Sequence, residues 1–189
     1  MTTLPPARKL LVLDLDETLI HASEEPLNRT EDFRVGPYWV YRRPHLEAFI
    51  DAVTPAFDLA VWTSSGELYA RQIIERILPA GGLKFMWSSR RCTTVRDWTD
   101  GGYTTIKNLR KLKRRGFALE SVIAVDDTPS KYTRSYGNLV TVREYTGDAT
   151  DVELKLLARY LLTLQHVPNV RTLEKRYWRE QMNPSASEG

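Results

Sequence analysis

The chain carries its apolar residues in short blocks that follow two different periods. Leu10, Leu11, Val12, Leu13 and Leu15 form a run broken only by Asp14. It is too continuous for a strand with one wet face and predicts a strand buried on both. Phe57 to Trp62, Leu83 to Trp87, Ser121 to Val125 and Leu139 to Val142 repeat that pattern. Between them the spacing changes to three and four. Leu46, Phe49, Ile50 and Val53 predict a helix to about Thr54, with Pro44 in its first turn and Pro55 after its end. Leu68, Ile73, Ile74 and Ile77 predict a second helix from Glu67, stopped by Pro79 and Gly81-Gly82. Leu109 and Leu112 predict a third over Ile106–Arg115, and Val152, Leu154, Leu157, Leu161 and Leu164 an amphipathic fourth over Asp148–Gln165.

Two intervals fit neither period. His21 to Arg43 places Gly36-Pro37 between β-prone runs and predicts a hairpin, and Ser88 to Thr105 reads as a small hairpin or loop. Strands alternating with helices give an α/β fold with a mainly parallel central sheet. Polar clusters follow the first, second and fourth strands, at the carboxyl edge where open α/β sheets bind ligands. The expected organisation is a flexible arm at 1–8, one domain at 9–166, a basic helical extension at 167–182 and a disordered tail at 183–189.

With 189 residues, 42% of them hydrophobic, the chain suits a single domain with a substantial core. No run approaches the twenty apolar residues of a membrane span, and the first ten residues lack a signal-peptide core, so a soluble intracellular protein is expected. Cys92 is the only cysteine, which excludes an intrachain disulfide and a thiolate cluster. Trp98 stands where a thiol phosphatase loop needs arginine. A net charge of +3 favours acidic or phosphorylated partners only weakly.

The candidate chemistry lies at the end of the first strand. Asp14 and Asp16 are two apart, so an extended backbone turns both carboxylates to one face, where they repel unless a cation or a proton intervenes. Asp14-Leu15-Asp16-Glu17-Thr18-Leu19 resembles motif I of the haloacid dehalogenase (HAD) superfamily. More narrowly it resembles the phosphatases of the RNA polymerase II C-terminal domain, the NLI-interacting factor-like family. Thr63 after Trp62 is similar to motif II, Lys107 at the opening of the third predicted helix to motif III, and Asp126-Asp127 closing a strand to motif IV. Arg43-Pro44-His45-Leu46 and Val61-Trp62-Thr63-Ser64-Ser65 resemble that family's wording as well. Two departures stand out: Asp127-Thr128-Pro129 replaces the usual Asn-Ser-Pro, and 88–103 does not line up cleanly.

The resemblance implies a HAD-like, Rossmannoid three-layer sandwich with small β-hairpin inserts and no large cap domain. It implies a Mg²⁺-dependent phosphomonoester hydrolase working through an aspartyl phosphate, with a phosphorylated protein or peptide as substrate. Asp14 would be the nucleophile and Asp16 the acid, kept protonated by partial burial beside Asp14. Thr18, Thr63, Ser64 and Lys107 would hold phosphate. Asp14, Asp16 through its carbonyl, and Asp127 would hold the metal, with Asp126 behind them or as the alternative ligand. Other readings stay open. Basic residues from Arg171 to Arg179 with Tyr177 and Trp178 suit nucleic-acid ends, a metabolite phosphatase is a further enzyme reading, and a non-catalytic binding module on the same fold is a third. His21, Arg90 and Arg91 are read as surface or packing residues. Oligomeric state and physiological substrate are not legible.

Overall fold

The computed structural model describes residues 8–96 and 101–183. Five strands, β1 (Lys9–Leu13), β5 (Phe57–Trp62), β6 (Leu83–Trp87), β9 (Val122–Asp126) and β10 (Leu139–Thr141), form one parallel sheet in the order β10-β9-β1-β5-β6. β1 is central and every one of its residues is buried. Its alternation divides the core. Leu11 and Leu13 face α1 (Leu46–Val53), α2 (Glu67–Ile77), α4 (Glu153–Leu164) and α5 (Trp178–Met182), whereas Leu10 and Val12 face Leu109, Leu112, Leu119 and Tyr132. Sheet and two covering layers make the expected three-layer α/β sandwich.

The sequence runs from β1 outward to β5 and β6, then returns to β9 on the other side of β1. That reversal opens a crevice at the carboxyl ends of β1 and β9, where doubly wound folds bind ligands.

The inserts are small antiparallel sheets. β2 (Ile20–Ser23), β3 (Phe33–Val35) and β4 (Tyr38–Arg42) pair in the order β2-β4-β3, with Gly36 at φ 56 in the predicted turn. β7 (Thr93–Arg96) and β8 (Tyr103–Ile106) form the second hairpin.

Several helix boundaries differ from the sequence reading. α1 begins after His45, whose φ of 66 is left-handed, so Pro44 precedes the helix and does not sit in its first turn. The third helix is only α3 (Arg110–Lys113), because Thr104, Thr105 and Ile106 are β-branched and pair with Val95, Thr94 and Thr93. Lys107 thus follows a strand and does not open a helix. α4 starts at Glu153, since Asp148 accepts from Thr150 N at 2.8 Å and Asp151 from Glu153 N at 2.8 Å. Such turns compete with helix formation.

The region 167–182 is helical only in a 3₁₀ turn at Val170–Thr172 and in α5. Three of its basic and aromatic residues turn inward. Trp178 is fully buried, donates to the Thr141 carbonyl at 2.9 Å and stacks on Tyr160, while Arg179 Nε bonds Glu153 at 2.8 Å and Lys175 Nζ bonds the Val170 carbonyl at 2.6 Å. These three groups are spent on the fold, whereas Arg171, Arg176 and Tyr177 of the same region stay exposed. Of the expected arm and tail, 1–7 and 184–189 lie outside the described residues.

Candidate active site

Asp14 continues β1 by one residue, its N–H donating to the Val125 carbonyl at 3.0 Å, so it lies beside the end of β9. The chain then turns sharply: Leu19 N–H reaches the Leu15 carbonyl at 2.8 Å and Glu17 takes a left-handed φ of 55. A non-glycine residue there costs roughly 1 kcal/mol, a strain held by the surrounding structure. Two contacts hold it. Tyr145 N–H donates to the Glu17 carbonyl at 2.8 Å, and buried Arg43 donates to the Thr18 carbonyl at 3.0 Å while gripping Asp151 at 3.0 and 2.8 Å.

Asp14, Asp16, Thr63, Ser64, Lys107, Asp126 and Asp127 all line one cavity of about 460 Å³ at the carboxyl edge. Ala22 and Tyr38 wall it from the first insert; Tyr69 closes it from α2. Six of the sequence candidates thereby join Asp14 in one place. Thr18 does not line this cavity. It is fully buried, accepts from Asp127 N–H at 3.2 Å and donates to Asp127 Oδ1 at 3.3 Å, so its hydroxyl orients Asp127 and is not free for phosphate.

Lys107 is the electrostatic centre. Its ammonium, 1% exposed, lies 2.8 Å from Asp14 Oδ1 and 2.6 Å from Asp126 Oδ2. Those two carboxylates outweigh burial and push its pKa up, so it remains a cation. Burial pushes the Asp14 carboxyl up, with Lys107 opposing. Asp126 is fully buried, its other oxygen accepting from Thr128 N–H at 2.9 Å. Asp127 is less buried, its pKa raised by burial and by Asp126.

Asp16 stands nearer the mouth and accepts from the Tyr69 hydroxyl at 2.6 Å and the Ser65 hydroxyl at 2.6 Å, with Thr63 Oγ1 at 3.5 Å. Burial and the Asp16 charge hold the Tyr69 phenol protonated. Tyr69 and Ser65 were absent from the sequence candidates; the helical spacing that brings Tyr69 back toward Ser65 was the available signal. Glu17 was missed too. Burial, then Asp16 and Asp127, raise its carboxyl to about 7, and it contacts His21 Nδ1 at 3.2 Å.

Asp14, Asp126 and Asp127 each offer a carboxylate oxygen within 4.8 Å of the others. An all-oxygen acidic set at that separation fits a hard divalent cation, which relieves the mutual repulsion of the three. The site thus combines a buried carboxylate, a second carboxylate oriented by hydroxyls, a fixed ammonium and a cation cage.

Residues 9–171 match the family described as NLI interacting factor-like phosphatase. Among similar proteins, CTD small phosphatase-like protein 2 of Dictyostelium discoideum is 31% identical over 188 residues, covering 90% of this chain and 32% of the relative. The CTD nuclear envelope phosphatase 1 homolog of Caenorhabditis elegans is 30% identical over 185 residues, covering 89% and 72%. The human CTD small phosphatase-like protein is 28% identical over 183 residues, covering 93% and 63%. The chain spans less than half of two of the curated relatives it matches, 32% and 46% of their lengths. The fold is shared with fission yeast RNA polymerase II CTD phosphatase Fcp1 bound to beryllium fluoride, at TM-score 0.56 and 22% identity, over 94% of this chain and 56% of that one. A haloacid dehalogenase-like hydrolase from Bacteroides fragilis has TM-score 0.51 and 9% identity, over 79% and 93%.

Proposed function

The chain belongs to the NLI interacting factor-like phosphatase family, and from that premise we propose that it hydrolyses phosphoserine or phosphothreonine in proteins, by two successive transfers through Asp14. The observation that carries this reading is the buried triangle of Asp14, Lys107 and Asp126. Lys107 favours the ionised Asp14 against the burial and the Asp126 charge that raise its pKa, and sets a cation beside the carboxylate that would receive the phosphoryl group.

In the first transfer an Asp14 oxygen attacks phosphorus in line with the ester oxygen, which takes a proton from Asp16 as the serine or threonine leaves. Tyr69 and Ser65 fix the Asp16 carboxyl, each donating to one of its oxygens at 2.6 Å. In the second, Asp16 takes a proton from water as that water attacks the phosphorus of the Asp14 acyl phosphate, releasing inorganic phosphate and the free carboxylate. Lys107 balances the charge that collects on the phosphoryl oxygens, and Thr63 and Ser64 offer hydroxyl donors at the end of β5.

Asp14, the Asp16 carbonyl and Asp127 would hold Mg²⁺. When bound, it supplies the charge that lets a carboxylate approach a phosphate dianion. Asp127 is preferred over Asp126 as its ligand because both Asp126 oxygens already accept strong hydrogen bonds, from Lys107 and Thr128 N–H, whereas Asp127 accepts only from hydroxyls at 3.3 and 3.1 Å.

The insert β2-β4-β3 walls the cavity through Ala22 and Tyr38 without enclosing it, so binding should draw on residues flanking the phosphate. A panel of phosphopeptides, sugar phosphates, mononucleotides and 5′-phosphorylated oligonucleotides tests this. The best phosphopeptide should exceed the metabolites and oligonucleotides in kcat/KM by at least about tenfold. A metabolite or oligonucleotide that outruns every phosphopeptide contradicts it.

A further inference from the structure

A second concavity, of about 340 Å³, lies at the β6 edge of the sheet and shares no lining residue with the catalytic cavity. Its lining is Trp87, Arg90, Arg91, Lys111, Arg114 and Arg115: five cations around one indole. Three of the cations are held in place. Arg91 and Arg115 lie over the Trp87 ring, 5.3 and 5.9 Å from its centroid, and Lys111 Nζ donates to the Arg91 carbonyl at 2.6 Å. Among the described residues, the only carboxylate at ion-pair distance from the five is Glu67, 4.0 Å from Arg90 Nη1, and it already holds Arg71 at 3.1 Å. Like charges gathered in one concavity repel one another, and an anion placed among them relieves the repulsion.

The groove is tied to the catalytic loop by backbone. Thr63 N–H donates to the Trp87 carbonyl, and Ser89 N–H to the Ser65 carbonyl, each at 2.9 Å. Arg91 is two residues beyond Ser89, so the lining of the groove follows directly on the segment bonded to the Ser65 loop.

We propose that this groove is an anion subsite that takes a second phosphoryl group of the same peptide substrate, about three to five extended residues from the one hydrolysed. The proposal rests on the protein-phosphatase reading above. Guanidinium forks suit phosphoryl oxygens because each offers two parallel N–H donors. Two features favour a peptide over a polynucleotide. Trp87 is only 5% exposed, so its face is closed to base stacking. Lys84 on the same strand is paired with Asp58 at 3.4 Å and Arg71 with Glu67, so neither extends the cationic lining.

The test compares wild type with the Arg90→Glu/Arg114→Glu double variant, whose side chains are exposed and outside the core. Three substrates are used at low salt: p-nitrophenyl phosphate, a peptide with one phosphoserine, and the same peptide carrying a second phosphoserine about four residues away. The second phosphate should lower KM for wild type about tenfold with kcat unchanged, and the variant should lose that advantage while hydrolysing p-nitrophenyl phosphate as wild type does. Equal KM for the two peptides with wild type, or an advantage that survives charge reversal, overturns the subsite. Stronger competition by a 5′-phosphorylated oligonucleotide than by the doubly phosphorylated peptide reassigns the groove to nucleic acid and overturns it as well. Failure of the underlying reading looks different: p-nitrophenyl phosphate is turned over while neither peptide is.

Discussion

Thr18 and Asp127 hold each other through side chain and backbone at once, Oγ1 donating to Oδ1 at 3.3 Å and accepting from the Asp127 N–H at 3.2 Å. One buried hydroxyl therefore sets the orientation of a carboxylate in the acidic cluster of Asp14, Asp126 and Asp127. Thr18→Val keeps the shape and removes both bonds, leaving the Asp127 N–H short of an acceptor. It should lower stability by about 1–3 kcal/mol and raise the Mg²⁺ concentration for half-maximal activity, and Thr18→Ser should restore both. Denaturant unfolding and a metal titration measure these. Unchanged metal dependence in Thr18→Val would show that Asp127 needs no such anchor.

Asp126 and Asp127 are adjacent in sequence but differ in what they touch, so their substitutions should separate. Asp127→Ala should weaken metal binding with little loss of stability, and excess metal should partly rescue activity. Asp126→Ala leaves the buried Lys107 ammonium with one fewer partner, and should cost about 3–5 kcal/mol in unfolding without rescue by metal. The reverse pattern would exchange the two roles.

Tyr69→Phe removes one of the two short hydroxyl bonds to Asp16. If Asp16 protonates the leaving oxygen, kcat should fall about tenfold for an alkyl phosphate and much less for an aryl phosphate, whose leaving group needs little protonation. Equal losses on both esters would remove Asp16 from the acid role.

Tyr160 gives a pH dependence remote from the chemistry. Burial, helped by the nearby Glu174 charge, raises its phenol from 10.0 to about 12. The folded state thus favours the protonated form, and the stabilisation is fully present below pH 10, declines as the unfolded chain ionises, and is lost as pH rises through the folded value. Tyr160→Phe should flatten the fall of the melting temperature between about pH 10 and pH 12 relative to wild type. Parallel curves would mean that Tyr160 titrates alike in both states.

The sheet and the line of site residues were legible because β1, β5 and β9 are buried on both faces, and each apolar run stops where a polar residue reaches the carboxyl edge. The helix limits were less so. The spacing of Leu109 and Leu112 gives no hint that Ile106 pairs with Thr93, and the run after Asp148 does not show that Asp148 and Asp151 bond their own downstream amides. Tyr69 was hidden because its spacing marks only a helix face; its bond to Asp16 depends on how α2 docks over the cavity. Thr18 was assigned to phosphate for a related reason. Motif position says which hydroxyl lies nearby, while burial decides what it bonds.

The central claim is that Asp14 carries the phosphoryl group. Acid quenching during turnover of the best phosphopeptide, followed by borohydride reduction, converts an acyl phosphate to its alcohol, which peptide mass spectrometry can place. Homoserine at position 14, absent without substrate and absent in an inactive Asp14→Asn variant, is the predicted result. Homoserine at position 16 or 126, or undiminished turnover by Asp14→Asn, would contradict the account.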